Sequence, residues 1–258
     1  MSPGINLSAV VLTKNEEENL EACLKQLGFV DEIVVIDDYS NDKTIKVAKS
    51  FGAKVFKKHL EDDFAAQRNF GLERASGRWV LFVDADERVG PELKEEIIQG
   101  IKNVDTVGYY LLRRDQIFSK TLRFGEFSFC GAFGSAKILR LGRKGAGIWR
   151  RRVHEYWEIM GKKGDFRSPL IHHPHPTLRE FVGSINYFSS LHARAIREEG
   201  KKPTLFKIIF WPPGKFVYNM CFRLGFLDGM EGFIVALFMS FNSFLAWSKA
   251  WINQGRSR

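Results

Sequence analysis

Cysteine is scarce. The 258 residues hold three, Cys23, Cys130 and Cys221, far apart and with no CxxC pair. That excludes a disulfide scaffold, argues for a reduced compartment and leaves no cysteine-based zinc site. No internal repeat and no low-complexity tract appears. No basic-then-apolar leader precedes the first strand-like segment, so no secretory signal is expected. With 45% hydrophobic and 27% charged residues, the composition is that of a globular chain and excludes disordered and collagen-like classes. The length allows one large domain, or one domain with a substantial tail.

Acidic residues are also unevenly missing. Residues 1–100 hold 13 Lys/Arg against 19 Asp/Glu, a net of −6, whereas residues 101–200 hold 18 against 9, a net of +9. Residues 201–258 hold 8 against 2, a net of +6, together with 13 aromatic residues. An acidic first part and a basic remainder point to two jobs on one chain. A basic, aromatic-rich tail suits either nucleic acid or an anionic membrane surface. Nucleic acid needs a recognisable binding fold, and none is apparent.

The first hundred residues alternate between near-continuous apolar runs and amphipathic stretches. Strands are predicted at Leu7–Thr13, Glu32–Asp37, Lys54–Phe56 and Trp79–Val83. Helices are predicted from Glu17 to about Leu27, Lys43 to Phe51, Phe64 to Arg74, and from Pro91, a residue suited to a first helical turn. This pattern is that of a doubly wound α/β fold, a mostly parallel sheet covered by helices on both faces. Short strands such as Gly108–Leu112 and Ala136–Leu141 follow, then a polar stretch through His154 and His175, then a helix from Leu178 to Glu199. Gly200-Lys201-Lys202-Pro203 reads as a linker. The longest charge-free run of the tail, Gly232 to Ser248, is 17 residues and carries Ser240, Asn242 and Ser243. That is the lower limit for crossing a bilayer, so a helix lying in the interface is expected before a spanning one, with a core helix as the plain alternative.

Ligands of a parallel α/β sheet bind beyond the carboxyl ends of its strands. Three strands end there in polar residues: Thr13-Lys14-Asn15, Asp37-Asp38 and Asp84-Ala85-Asp86. Asp37, Asp38, Asp84 and Asp86 gathered at one edge would repel one another unless a cation neutralised them. Oxygen ligands without cysteine suit Mg²⁺ or Mn²⁺, which keep positions open for substrate phosphates. Each piece also has a plain reading. Asn15 with Glu18 fits a helix capping box, Asp37-Asp38 with Ser40-Asn41-Asp42 fits a turn, and Asp-x-Asp arises by chance.

The runs Val10-Val11-Leu12-Thr13-Lys14-Asn15-Glu16, Val34 to Thr44, Gln67-Arg68-Asn69 and Trp79 to Glu87 resemble family 2 glycosyltransferases of the GT-A fold. Val153-His154-Glu155, Leu170-Ile171-His172 and Gly225-Phe226-Leu227-Asp228-Gly229 are similar to a bacterial branch of that family, the WaaE-like glucosyltransferases of the lipopolysaccharide core. The resemblance implies a GT-A domain over 1–200, with a nucleotide-sugar half at 1–110 and an acceptor-side half at 111–200. A helical, membrane-associating tail would then occupy 201–258. It implies that Thr13, Asn15, Glu17, Asp37, Asp38, Arg68, Asp84 and Ala85 line the nucleotide-sugar pocket. Asp86, with Asp84 and His172, would hold Mg²⁺ or Mn²⁺.

Inverting transfer needs a general base opposite the leaving group, and Glu155 is the first candidate, with His154 second. The plain reading of that pair is a surface salt bridge. The cluster His172-His173-Pro174-His175 is equally a solvated loop. The expected partners are a UDP-linked nucleotide-sugar donor and a lipid-linked or lipopolysaccharide-core glycan acceptor. Arg113-Arg114, Arg140, Arg143-Lys144 and Arg150-Arg151-Arg152 suit an anionic acceptor. Peripheral contact with an anionic membrane would place the enzyme on the cytoplasmic face of a bacterial inner membrane. The rivals are a DxD phosphohydrolase, whose motif belongs on a first strand, and a non-catalytic membrane-binding module.

Overall fold

The computed structural model describes residues 6–118, 120–127, 136–174 and 177–253. In chain order the elements are Leu7–Thr13 (β1), Glu17–Gln26 (α1), Glu32–Asp37 (β2), Thr44–Ser50 (α2), Lys54–Lys57 (β3) and Phe64–Arg74 (α3). Trp79–Asp84 (β4), Glu87–Val89 (β5), Pro91–Gly100 (α4), Gly108–Ile117 (β6), Lys120–Thr121 (β7), Ala136–Arg143 (β8) and Gly147–Arg150 (β9) come next. Tyr156–Ile159 (β10), Lys163–His172 (β11), Leu178–Glu198 (α5), Leu205–Val217 (α6) and Gly229–Ile252 (α7) complete the chain. The α/β reading of the sequence holds, with element boundaries in the first hundred residues shifted by a residue or so.

The main sheet runs β3-β2-β1-β4-β8-β6-β11-β5, with β7 beside β6. Strands β3, β2, β1 and β4 are mutually parallel, while β8 joins β4 and β11 joins β5 antiparallel. The sheet is therefore mixed, with its parallel strands running from β3 to β4. The polar stretch through His154 and His175 contains two strands, β10 and β11. Trp149 and Trp157 pair across the β9–β10 ribbon and stack at 5.4 Å.

The chain divides into two compact units, Met1–Arg113 with Lys137–His172, and Arg114–Ala136 with His173–Arg258. In the first, both faces of the parallel strands are buried, which is why β1 and β4 read as unbroken apolar runs. Ala9, Val11, Leu81 and Val83 face one core with Leu20, Leu24 and Leu93. Val10, Val80 and Phe82 face the other with Leu72, Trp149 and Trp157. Helix α3 lies so close to the sheet that a Cβ on Gly71 would stand 2.5 Å from Val10 Cγ1, so only glycine fits there.

The second unit is helical. Ile117, Leu122, Phe181, Ile185 and Val235 form its core, and α7 packs against both α5 and α6. Thr177 and Thr204 cap α5 and α6, each hydroxyl accepting a backbone N–H three residues on. A π-helical turn, Tyr218–Phe222, ends α6, and Gly225–Asp228 turns the chain into α7.

Candidate active site

The carboxyl ends of β1, β2 and β4 meet at one edge of the first unit, because these strands run parallel in register, Thr13 beside Asp37 and Leu12 beside Asp84. Two loops leave this edge and are tied together side chain to backbone. Asn15, in the left-handed region at φ 54°, accepts the Asn41 N–H at its Oδ1 (2.9 Å), and its own N–H goes to Ser40 Oγ (2.8 Å). The Glu17 N–H reaches Asp42 Oδ2 (3.1 Å), and Glu17 Oε2 accepts from Lys43 N (2.8 Å). The capping box is not formed: α1 has no side-chain cap, and Asn15 is spent on the neighbouring loop.

Asp37 is fully buried and builds a turn, accepting from the Ser40 N–H (2.9 Å), Ser40 Oγ (2.6 Å) and Thr13 Oγ1 (3.2 Å). Asp38 accepts from Lys14 Nζ (2.6 Å) and the Leu60 N–H (3.2 Å), and lies 3.3 Å from His59 Nδ1. Burial alone would raise its pKa, but Lys14, the Leu60 amide and His59 bring it below the ordinary value. Beside it the exposed Tyr39, held at φ 51°, stacks on His59 with ring centres 3.9 Å apart. Ala85 is buried, and its carbonyl accepts from Arg88 Nη1 (2.8 Å).

The end of β4 is an ion network. Arg68, on the inward face of α3, donates Nη2 to both oxygens of Asp84 (3.0 and 3.2 Å) and Nε to Glu155 Oε1 (2.9 Å). Arg140, on β8, donates Nη2 to Asp84 Oδ2 (2.8 Å) and stands 3.7 Å from Glu87 Oε1. Trp149 shelves Arg68 at 4.8 Å from its ring centre, a cation–π contact worth roughly 0.5–2 kcal/mol. Burial would raise the Asp84 pKa, yet Arg140 and Arg68 hold it well below the usual carboxylate range. Burial pushes Glu87 up, with Asp84 adding to the rise against Arg140, so of this coupled pair Asp84 carries the charge. Arg68 Nη1 is buried without a hydrogen-bond partner, a donor that a bound anion would satisfy.

Three of the four strand-end aspartates are engaged by partners within the chain. Asp37 belongs to a turn, Asp38 to Lys14, and Asp84 to two guanidinium groups. Among the described residues no group of three or more His, Cys, Asp or Glu side chains is placed to hold a metal ion. Asp86 remains, with Oδ2 3.2 Å from His172 Nε2. The antiparallel pairing of β11 with β5 sets His172 opposite Glu87, one residue beyond Asp86. Adjacent ligand atoms around an octahedral ion with bonds of about 2.1 Å lie about 3 Å apart. The pair fits two neighbouring positions of Mg²⁺ or Mn²⁺, ions that take their other ligands from phosphate and water. His175 lies outside the described residues.

Glu16 was not singled out from sequence. It lies at the head of α1, and burial, against the Asn19 amide and reinforced by Asp86, Asp84 and Asp42, raises its pKa to about 7. Arg140 was legible only as one of many basic residues, although it is a lone charge in the apolar run Ile138-Leu139-Arg140-Leu141. Of the two base candidates, Glu155 is bonded into the network at Arg68. The exposed His154 sits at a corner of left-handed backbone, φ 57°.

Residues 8–166, more than half of the chain, match the model of Glycosyl transferase family 2. The chain belongs to this family. The glycosyltransferase is 31% identical over 96% of its length to the lipopolysaccharide core biosynthesis glycosyltransferase LpsC of Rhizobium meliloti (strain 1021), covering 93% of that protein. It is 26% identical to an uncharacterized glycosyltransferase of Rickettsia bellii (strain RML369-C), over 94% of this chain and 85% of that one. Among solved structures it is similar to S. aureus TarS 1–349, with a TM-score of 0.48, 12% identity, and coverage of 97% and 92% of the two chains. As a family 2 glycosyltransferase it is an enzyme, which sets aside both the phosphohydrolase and the non-catalytic module.

Proposed function

We propose that this glycosyltransferase is metal-dependent and inverting. It moves a sugar from a UDP-linked donor to a lipopolysaccharide-core or similar envelope glycan at the cytoplasmic face of a bacterial inner membrane, in peripheral contact with anionic lipid. The observation that carries the reading is the Asp86–His172 pair beside the Arg68–Asp84–Arg140 network, at the edge where parallel strands present ligands. The similarity to a lipopolysaccharide core enzyme supports the acceptor class.

Asp86 and His172 are the residues that would hold Mg²⁺ or Mn²⁺, which neutralises charge as a diphosphate leaves. Asp84, both of whose oxygens accept from guanidinium, stays with the network. Asp38 and the Tyr39–His59 stack receive the nucleoside, and the unpartnered Arg68 Nη1 reaches toward phosphate or ribose. Glu155 takes the proton of the acceptor hydroxyl. Its bond to Arg68 holds one carboxylate oxygen and fixes the orientation of the group. His154 is the second candidate.

A thermal-shift panel of nucleotide sugars with and without Mn²⁺ tests the reading. At a hundredfold excess over Kd, a bound donor stabilises the fold by about 2.7 kcal/mol. Uridine diphosphate sugars should raise Tm by several degrees only with the metal. A shift with another nucleotide, or one indifferent to metal, overturns the donor or the metal assignment respectively.

A further inference from the structure

Helices α6 and α7 form an antiparallel hairpin. Lys207 Nζ lies 4.7 Å over the Trp247 ring, Ser240 Oγ donates to the Pro212 carbonyl (2.6 Å), and Phe216 meets Phe233 at 5.6 Å. Its amphipathicity is inverted. Every exposed residue of α6 is apolar or glycine, with Phe206, Ile209, Phe210 and Trp211 each more than half exposed. Both α6 lysines are instead tied to partners within the chain, Lys207 to the Lys202 carbonyl and Lys215 to Glu126. In α7 the buried stripe is Gly232, Val235, Ala236, Ser240, Asn242, Ser243, Ala246 and Ala250, small or polar at nearly every position. Its exposed positions are Phe233, Leu237, Phe241, Phe244 and their like. In water the hydrophobic effect enforces the opposite arrangement. Small and polar residues inside with large apolar residues outside is how helices pack in lipid, where closeness and interhelical hydrogen bonds drive association.

Residues 225–252 are long and apolar enough to cross a bilayer. Helix α5 decides against crossing. It packs along α7, where Lys249 Nζ is bonded to Asn186 and to the hydroxyls of Ser189 and Ser190. Its outer face exposes Arg179, Glu180, Arg194 and Arg197, which belong in water. Helix α6, at 13 residues, is about 20 Å long and too short to span. We infer that the α6–α7 hairpin lies in the plane of the membrane, its outer face in the acyl boundary, α5 toward water, and Lys201 and Lys202 at anionic headgroups. The inference rests on the membrane contact of the proposed function and gives it an element, a depth and an orientation.

Flotation of the full-length protein with phosphatidylcholine–phosphatidylglycerol vesicles tests it. The protein should stay bound in 1 M salt, where a purely electrostatic contact is screened. Phe206→Glu with Phe210→Glu should lower the membrane-bound fraction about tenfold or more, while Met160→Glu in the first unit should leave it unchanged. Mid-chain brominated lipid should quench tryptophan emission, less so in Trp211→Phe, which reports insertion without a destabilising substitution. Full release by salt, an unchanged glutamate variant, or failure to float with a dimer that the same variant dissociates would each overturn the inference. The donor-induced thermal shift, measured on the same variants, stays intact if the glycosyltransferase site is sound, so the two readings fail separately.

Discussion

The parallel-strand edge of the first unit and the α6–α7 hairpin of the second solve opposite problems. At the edge, charged groups are buried among apolar strands, and each is matched by a partner of opposite sign: Asp84 by Arg68 and Arg140, Asp38 by Lys14. In the hairpin, polar and small residues form the seam while apolar side chains face outward. One region uses water exclusion to strengthen a polar site, and the other uses polar contacts to hold together where the hydrophobic effect does not.

The comparison is sharpened most by breaking the site. Glu155→Gln should lower kcat by about 10²-fold or more with donor affinity retained, as expected for loss of a general base. Steady-state transfer with calorimetric donor binding measures both, and undiminished kcat would transfer the role to His154. Arg140→Leu leaves Asp84 with Arg68 as its only guanidinium partner inside the fold and should cost about 3–5 kcal/mol in denaturant unfolding. Arg140→Lys, keeping charge but not the paired geometry, should cost less.

The hairpin offers a test on adjacent residues. Ala236→Leu overpacks the inward seam and should cost about 1–3 kcal/mol. Leu237→Ser, one position away on the outer face, should stay within about 0.5 kcal/mol in detergent. Equal effects at the two positions would erase the contrast. A further expected effect is electrostatic. Glu16 has a folded pKa of about 7 against 4.5, so the folded state holds its proton longer than the unfolded one. Stability present below pH 4.5 is lost as pH rises toward 7. Glu16→Gln should therefore be more stable than wild type at pH 8, by about 1–2 kcal/mol after solvent screening, and equal to it at pH 4.

Much of the first unit was legible because its strands are buried on both faces. Val34-Val35-Ile36 and Val80-Leu81-Phe82-Val83 have no other reading, and helices α1 to α4 show ordinary amphipathic spacing. Strands β10 and β11 were not legible. In Tyr156–Ile159 only Trp157 and Ile159 point inward, and Lys163–His172 carries Gly164, Pro169 and three charged residues, a pattern easily taken for a loop. Missing β11 hid the reason His172 meets Asp86. The gathering of four aspartates was expected from the strand ends of a parallel sheet, and their mutual repulsion argued for a cation. The neutralising arginines come from α3 and β8, segments distant in sequence, so no local pattern announces that Asp84 is already paired. In the tail, aromatic content was visible, but the inversion of faces needs the pairing of α6 with α7 to be seen.

The most direct measurement is isothermal calorimetry of UDP binding to the wild-type protein and to Asp86→Asn, with and without Mn²⁺. Binding should be strengthened at least about tenfold by the metal in the wild type, equivalent to about 1.4 kcal/mol, and the metal should add nothing in the variant. Equal affinity with and without Mn²⁺ in the wild type, or an undiminished metal effect in Asp86→Asn, would contradict the account.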